Sequence, residues 1–220
     1  YTGKNKKAYT EGWIDVRENQ GKTSGAYSWG CYLSHPYVLL NWQGSVNDIF
    51  TLAHELGHAM HSYYSNKNQP YAKAGYRIFV AEVASTVNEN LLFHYLMQGS
   101  MGEMERAYLL NHYLEEFRGT VYRQVMFAEF EKLAHAALEE GGSLSCEQLC
   151  DMYYALNQKY FGKHVTVDKE ISLEWSRIPH FYTSFYLYKY ATGFSAAVAL
   201  ANGILTGDKG KIDAYKTFLK

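Results

Sequence analysis

The side chains best placed for chemistry lie in "FTLAHELGHAMHSYYS", residues 50–65, where His54, His58 and His61 surround one acid, Glu55. A helix through this stretch, at about 100° per residue, gathers Ile49, Leu52, Leu56, Met60 and Tyr63 into an apolar stripe and sets the histidines opposite. His54 and His58, at i and i+4, lie about 6 Å apart along the axis, so both imidazoles can reach one ion through bonds of about 2.0–2.1 Å. Glu55 points about 100° away from His54, toward a water held by the ion rather than the ion itself. A carboxylate there can accept a proton and later give it to a leaving amine. His-Glu-x-x-His thus joins zinc binding to general-base chemistry. The competing reading is a surface helix whose polar face carries solvated imidazoles. Gly57 would let a second segment approach this helix closely.

Two imidazoles leave a metal site incomplete. His61 continues the same face, but seven residues of helix rise about 10.5 Å, too far for one tetrahedral ion. "AMH" holds no glycine or proline to break the helix, so His61 is expected to donate behind the ligands or to line the cleft. A carboxylate from another helix fits better. Glu82 stands between Ala81 and Val83 in "YRIFVAEVASTVNENLLFHY", an apolar setting where glutamate needs a partner. Ser85, Thr86 and Glu89 extend a polar stripe from it, which suggests Glu82 as ligand and Glu89 as hydrogen-bond partner of a metal-held imidazole. Oxyanion stabilisation needs donors as well. His180, after Pro179, is expected in a loop, and Tyr186 and Tyr190 follow at i and i+4 on a helix, flanked by Tyr182 and Tyr188. An aromatic stripe packed in the core is the alternative there.

The elements that must position these groups are mostly helical. Spacing predicts helices near 47–65, 76–98, 103–139, 146–160, 184–205 and 208–219, with Gly99 and Gly141-Gly142 as stops. Asn47 or Asp48 is the expected N-cap of the first, and Ser145 with Gln148 forms a capping box for the fourth. Residues 37–42, "YVLLNW", read as a short strand whose backbone edge could receive an extended peptide, and the stretch before it as loops with one further strand. With 47% apolar side chains in 220 residues, a substantial core is expected. A net charge of −1, from 21 basic and 22 acidic residues, points to neither nucleic acid nor an anionic membrane. Cys31, Cys146 and Cys150 read as reduced thiols, implying a cytoplasmic protein, and no signal-peptide or membrane-spanning pattern is present. Cys146 and Cys150 lack a histidine pair for a second metal site, and His94, His112, His135 and His164 read as surface or satisfied core residues. His35, before Pro36, is the remaining histidine a substrate could touch.

"AHELGHAMH", then "FVAEVASTVNE", then "IPHFYTSFYLYKYATG" resemble, in that order, the M3 family of zinc metallopeptidases, and within it the bacterial oligoendopeptidase F enzymes. "SGAYSWGCYLSHPYVLLNWQGSVNDIFTLAHELGHAMHSYYS" is similar to that family's catalytic segment, so the likeness covers nearly the whole chain. The resemblance implies one zinc per chain held by His54, His58 and Glu82, with Glu55 as base. It implies transition-state stabilisation by His180 and Tyr190, then Tyr186, with Tyr182 the weakest match. Some descriptions of the family would instead make His61 a ligand, against which the helical rise stands. The implied fold is mainly α with a small β-sheet, a zincin-like catalytic domain whose active-site helix packs on further helices. The implied activity is hydrolysis of internal bonds in short unstructured oligopeptides. A dipeptide-releasing exopeptidase and a metal-stabilised, nonenzymatic binding module are the alternatives. Family members are longer, so residues 1–220 are expected to be a single catalytic domain, a piece lacking an N-terminal lobe and the last C-terminal helices.

Overall fold

Residues 2–220 are described by a computed structural model, mainly helical with one three-stranded sheet. Contacts divide the chain into two units. The first runs up to Leu109 and resumes over Gly193–Lys220, and the second is Leu110–Thr192.

In the first unit the order is α1 (Thr2–Thr10), β1 (Ile14–Asp15), β2 (Tyr27–Trp29), β3 (Tyr37–Leu39), α2 (Val46–Asn68) and α3 (Ile78–Gln98). The start of α4 (Glu103–Phe117), most of α7 (Tyr188–Leu205) and α8 (Lys209–Phe218) complete it. Helix α1 was not expected, because "TGKNKKAYT" has no apolar period. Its anchor is Ala8, buried with Trp13, a tertiary contact that local pattern does not reveal.

The sheet order is β1-β3-β2. Strand β3 pairs parallel to β1 (Ile14↔Val38) and antiparallel to β2 (Ser28↔Val38). The strand covers 37–39 of the predicted 37–42 and is central there, with β1 on one side and β2 on the other, so over those residues neither edge is open to a peptide. The outer edges belong to β1 and β2, and β2 lies against α2.

Helix α2 begins earlier than expected. Ser45 is the N-cap, its Oγ accepting from the Asp48 N–H at 3.2 Å while Asp48 Oδ2 accepts from the Ser45 N–H at 2.8 Å. Asp48 is thus the third residue of a capping box rather than the cap itself. Leu56, Ala59 and Met60 pack on the sheet through Val38 and Leu40, whereas Ile49 stays exposed at the end of the predicted stripe. At Gly57 the backbone of α3 comes so close that an added Cβ would lie 2.5 Å from Ser85 Cα and 2.7 Å from Ala84 O. The inner face of α3, Val83, Ala84 and Val87, packs on Ala197, Ala201, Tyr215 and Leu219.

The second unit holds the rest of α4, then α5 (Arg123–Glu139) and α6 (Cys146–Phe161). The single helix expected over 103–139 is interrupted by a π turn at Arg118–Tyr122, where Gly119, Thr120 and Val121 are poor helix formers. Helix α6 starts in the expected capping box of Ser145 and Gln148. Two 3-10 segments, Lys169–Arg177 and Pro179–Tyr182, precede α7, which begins four residues later than predicted. The first is held by buried Glu174, which accepts from Tyr153 Oη at 2.7 Å and from Arg123 at 2.6 Å. Phe127, Phe130, Tyr153, Leu156 and Leu187 form the core of this unit. Among the described residues, no helix is long and apolar enough to cross a membrane.

Candidate active site

Helix α2 presents His54 and His58 one turn apart, and the close approach at Gly57 brings α3 alongside with Glu82. The two Nε2 atoms are 3.1 Å apart, and Glu82 Oε2 lies 3.3 Å from that of His54 and 3.5 Å from that of His58. Donors on one tetrahedral ion with bonds of about 2.0–2.1 Å stand about 3.3 Å apart, so the triangle fits such an ion. Among the described residues this is the group of His, Cys, Asp or Glu able to hold a metal. Cys146 and Cys150 are free thiols and join no such group.

Side chains behind the triangle orient it. Glu89, seven residues beyond Glu82, takes His54 Nδ1, which leaves Nε2 to face the other donors. Ser85 Oγ donates to Glu82 Oε2 at 3.2 Å. Burial pulls the His54 imidazole down, but its hydrogen bonds to Glu82 and Glu89 outweigh this and lift its pKa to about 10. Burial would raise Glu82, yet the two imidazoles hold it far below the usual carboxylate range. Two carboxylates around paired imidazoles make a place that favours positive charge, as a cation site must.

Glu55 is 6% exposed, and its Oε2 has no hydrogen-bond partner among the described residues. Burial raises its pKa, and charge on His54 and His58 works against that rise. A desolvated carboxylate beside such a centre has the properties of a general base.

His61 is placed differently from the expectation. Helix α2 runs unbroken through it, and the ring is buried, stacked on Tyr76 with centroids 3.7 Å apart. Its Nδ1 finds no partner among the described residues, so it neither lines a cleft nor donates from that atom. His35 stacks on Trp13 and makes a 2.7 Å hydrogen bond to Pro36 O through Nδ1.

In the second unit, His180 Nε2 and Tyr190 Oη share a 2.9 Å hydrogen bond. The Tyr186 ring lies 5.3 Å from His180 and 5.7 Å from Tyr190, so these three sequence candidates form one group. Tyr182 stands apart, exposed, donating to Ser176 O at 3.2 Å. Sequence reasoning missed Glu131 on α5, whose Oε1 accepts from the Phe185 N–H at 2.7 Å. Its signal was an acid four residues after Phe127, on the face that buries Phe127 and Phe130.

A model of peptidase family M3 matches residues 2–220. Oligopeptidase PepF of Bacillus subtilis is 58% identical over 208 residues, covering 94% of this chain and 31% of that protein. The chromosomal oligoendopeptidase F of Lactococcus lactis subsp. cremoris is 50% identical over 220 residues, covering 100% and 36%. Among solved structures, oligoendopeptidase-F from Enterococcus faecium superposes with a TM-score of 0.70 at 48% identity, covering 80% of this chain and 31% of that one. A chain from Chlamydophila abortus superposes with a TM-score of 0.88 at 45% identity, covering 99% and 37%. The chain thus spans about a third of the length of the curated relatives it matches.

Proposed function

Because the chain belongs to peptidase family M3, we propose that it is the catalytic part of a zinc endopeptidase cleaving internal bonds of short, unstructured oligopeptides. The observation that carries this reading is the triangle of His54, His58 and Glu82 beside a buried carboxylate with an unpartnered oxygen. Zinc, when bound, supplies Lewis-acid polarisation of a carbonyl and makes a water easier to deprotonate. His54, His58 and Glu82 would hold it, and Glu89, at His54 Nδ1, would keep His54 in the tautomer that ligates. With three protein donors and His61 stacked on Tyr76, the site would be of the catalytic rather than the closed structural kind.

Glu55 accepts the proton of the attacking water and delivers it to the leaving amine, and its burial strengthens it as a base. His180 and Tyr190, already hydrogen-bonded to each other, donate to the developing oxyanion, with Tyr186 beside them. The outer edge of β2, rather than residues 37–42, is the edge on which an extended peptide would lie. Residues 1–220 as one catalytic domain, roofed by other parts of a longer chain, belong to the same proposal, supported by the coverage of the relatives. So does a cytoplasmic location, supported by the free thiols.

The deciding experiment compares zinc content and cleavage of a quenched, N-terminally blocked peptide by the full-length protein. Wild type should hold one zinc per chain and cut internally. Glu82→Ala should lose the metal, and Glu55→Gln should keep it while kcat falls by about 10²–10⁴. Wild-type turnover by Glu55→Gln would sink the mechanism, and release of dipeptides alone would make the enzyme an exopeptidase.

A further inference from the structure

We propose that Glu131 is the positioning residue of the tyrosine loop, its buried carboxylate clamping the backbone at Phe185 so that Tyr186, His180 and Tyr190 stand in working order. This rests on the role given above to His180 and Tyr190.

Three observations carry it. The first is burial without a countercharge. Glu131 is 6% exposed within the apolar face of α5, and its donor among the described residues is a neutral backbone N–H, that of Phe185. Apolar surroundings penalise such a carboxylate, and a charge-assisted hydrogen bond is what holds it there.

The second is the backbone it holds. Phe185 has φ 55 and is the non-glycine residue with positive φ among the described residues. A bulky side chain in that region persists only where its surroundings impose it. From Ile178 to Thr192 there is no glycine to make such a turn easy, so the conformation must be set from outside the loop.

The third is where the clamp lies. The Phe185 ring rests on His135, one turn beyond Glu131 on α5, with centroids 4.7 Å apart. Helix α5 therefore grips this residue by backbone and by ring. Leu187, fully buried, anchors the chain two residues later. Tyr186 lies between these fixed points, its ring against those of His180 and Tyr190. Its place is thus determined by a side chain outside the group of His180, Tyr186 and Tyr190.

The test uses the full-length, zinc-loaded protein and follows kcat, KM, zinc content and affinity for a phosphinic peptide that mimics the tetrahedral species. Glu131→Ala should lower kcat on the order of 10- to 100-fold and weaken the phosphinic peptide in parallel. KM should stay within about twofold and zinc content should not change. Glu131→Gln, whose amide oxygen still accepts from the Phe185 N–H, should remain near wild type. Phe185→Gly added to Glu131→Ala should recover part of the loss, because glycine adopts positive φ without strain. If Glu131→Ala is too unstable to purify, Glu131→Leu preserves packing without an acceptor and should show the same kcat loss. Unchanged kcat in the Ala or Leu variant overturns the proposal. So does a loss confined to zinc content or thermal stability, or one equally large in Glu131→Gln. Unchanged kcat in both His180→Ala and Tyr190→Phe would instead overturn the role of the loop itself, whatever Glu131 does.

Discussion

Glu89 reaches the triangle through its hydrogen bond to His54, so under the proposed zinc reading its removal should weaken metal binding while all three donors remain. Glu89→Ala should lower zinc affinity about 10- to 100-fold, read by competition with a coloured chelator, while Glu82→Ala should abolish measurable binding. His61 shows the opposite relation between position and role: it shares the histidine face of α2 yet belongs to the packing. Burial, with some help from charge on His58, lowers its pKa from 6.5 to about 4. The unfolded chain therefore takes up this proton before the folded one does, and the stability at stake is present above about pH 6.5 and lost as pH falls toward 4. His61→Phe, able to stack on Tyr76 in the same slot, should remove up to about 3 kcal/mol of that pH dependence, measured by urea unfolding of metal-free protein at pH 7 and pH 4.5. At this scale the sequence was most informative, because i, i+4 and i, i+7 spacings on a helix survive folding unchanged. The pairs His54/His58 and Glu82/Glu89 could be read from number alone, and the structure brings all four together. Glu131 shows in the sequence only as an acid on an apolar face, since what it holds lies 54 residues away.

Between α2 and α3 the decisive residue has no side chain. With Ser85 Cα only 2.5 Å from where a Cβ would stand at Gly57, backbone rather than a flexible side-chain end must give way. Gly57→Ala should cost about 3 kcal/mol in urea unfolding and shift α3, which carries Glu82 and Glu89, so zinc affinity should fall as well. Stability lost with zinc affinity unchanged would show that the close approach serves packing alone. Elements were legible where their signals were local. The Ser145–Gln148 box gave the start of α6 because both partners lie within four residues. Ser45 is hard to read as the cap of α2 from sequence because Asp48, itself a good cap, occupies the third position of the same box. The central place of β3 was hidden for a different reason. Its neighbours are chosen by pairing with residues 14–15 and 27–29, and nothing inside "YVLLNW" records whether one edge or both will be covered.

For the whole molecule, ion binding and folding should be one equilibrium, since the triangle draws its donors from two helices. Zinc at about 1,000 times its Kd should stabilise the folded state by about 4 kcal/mol, a gain that EDTA reverses and Glu82→Ala never shows in a thermal melt. Equal melting temperatures with and without the ion would argue against a metal held by both helices. The division of the chain bears on how it is made. The first unit is discontinuous in sequence, and the inner face of α3 packs on Ala197, Ala201, Tyr215 and Leu219. At the pace of synthesis, the 110 residues from Val87 to Ala197 take roughly 5–20 s to emerge. Throughout that interval on the ribosome the histidines and Glu82 already exist, while Val83, Ala84 and Val87 wait for partners not yet translated. The nascent chain thus carries the histidines and Glu82 before the α3 face is covered, and for those seconds that apolar face is what a chaperone would meet.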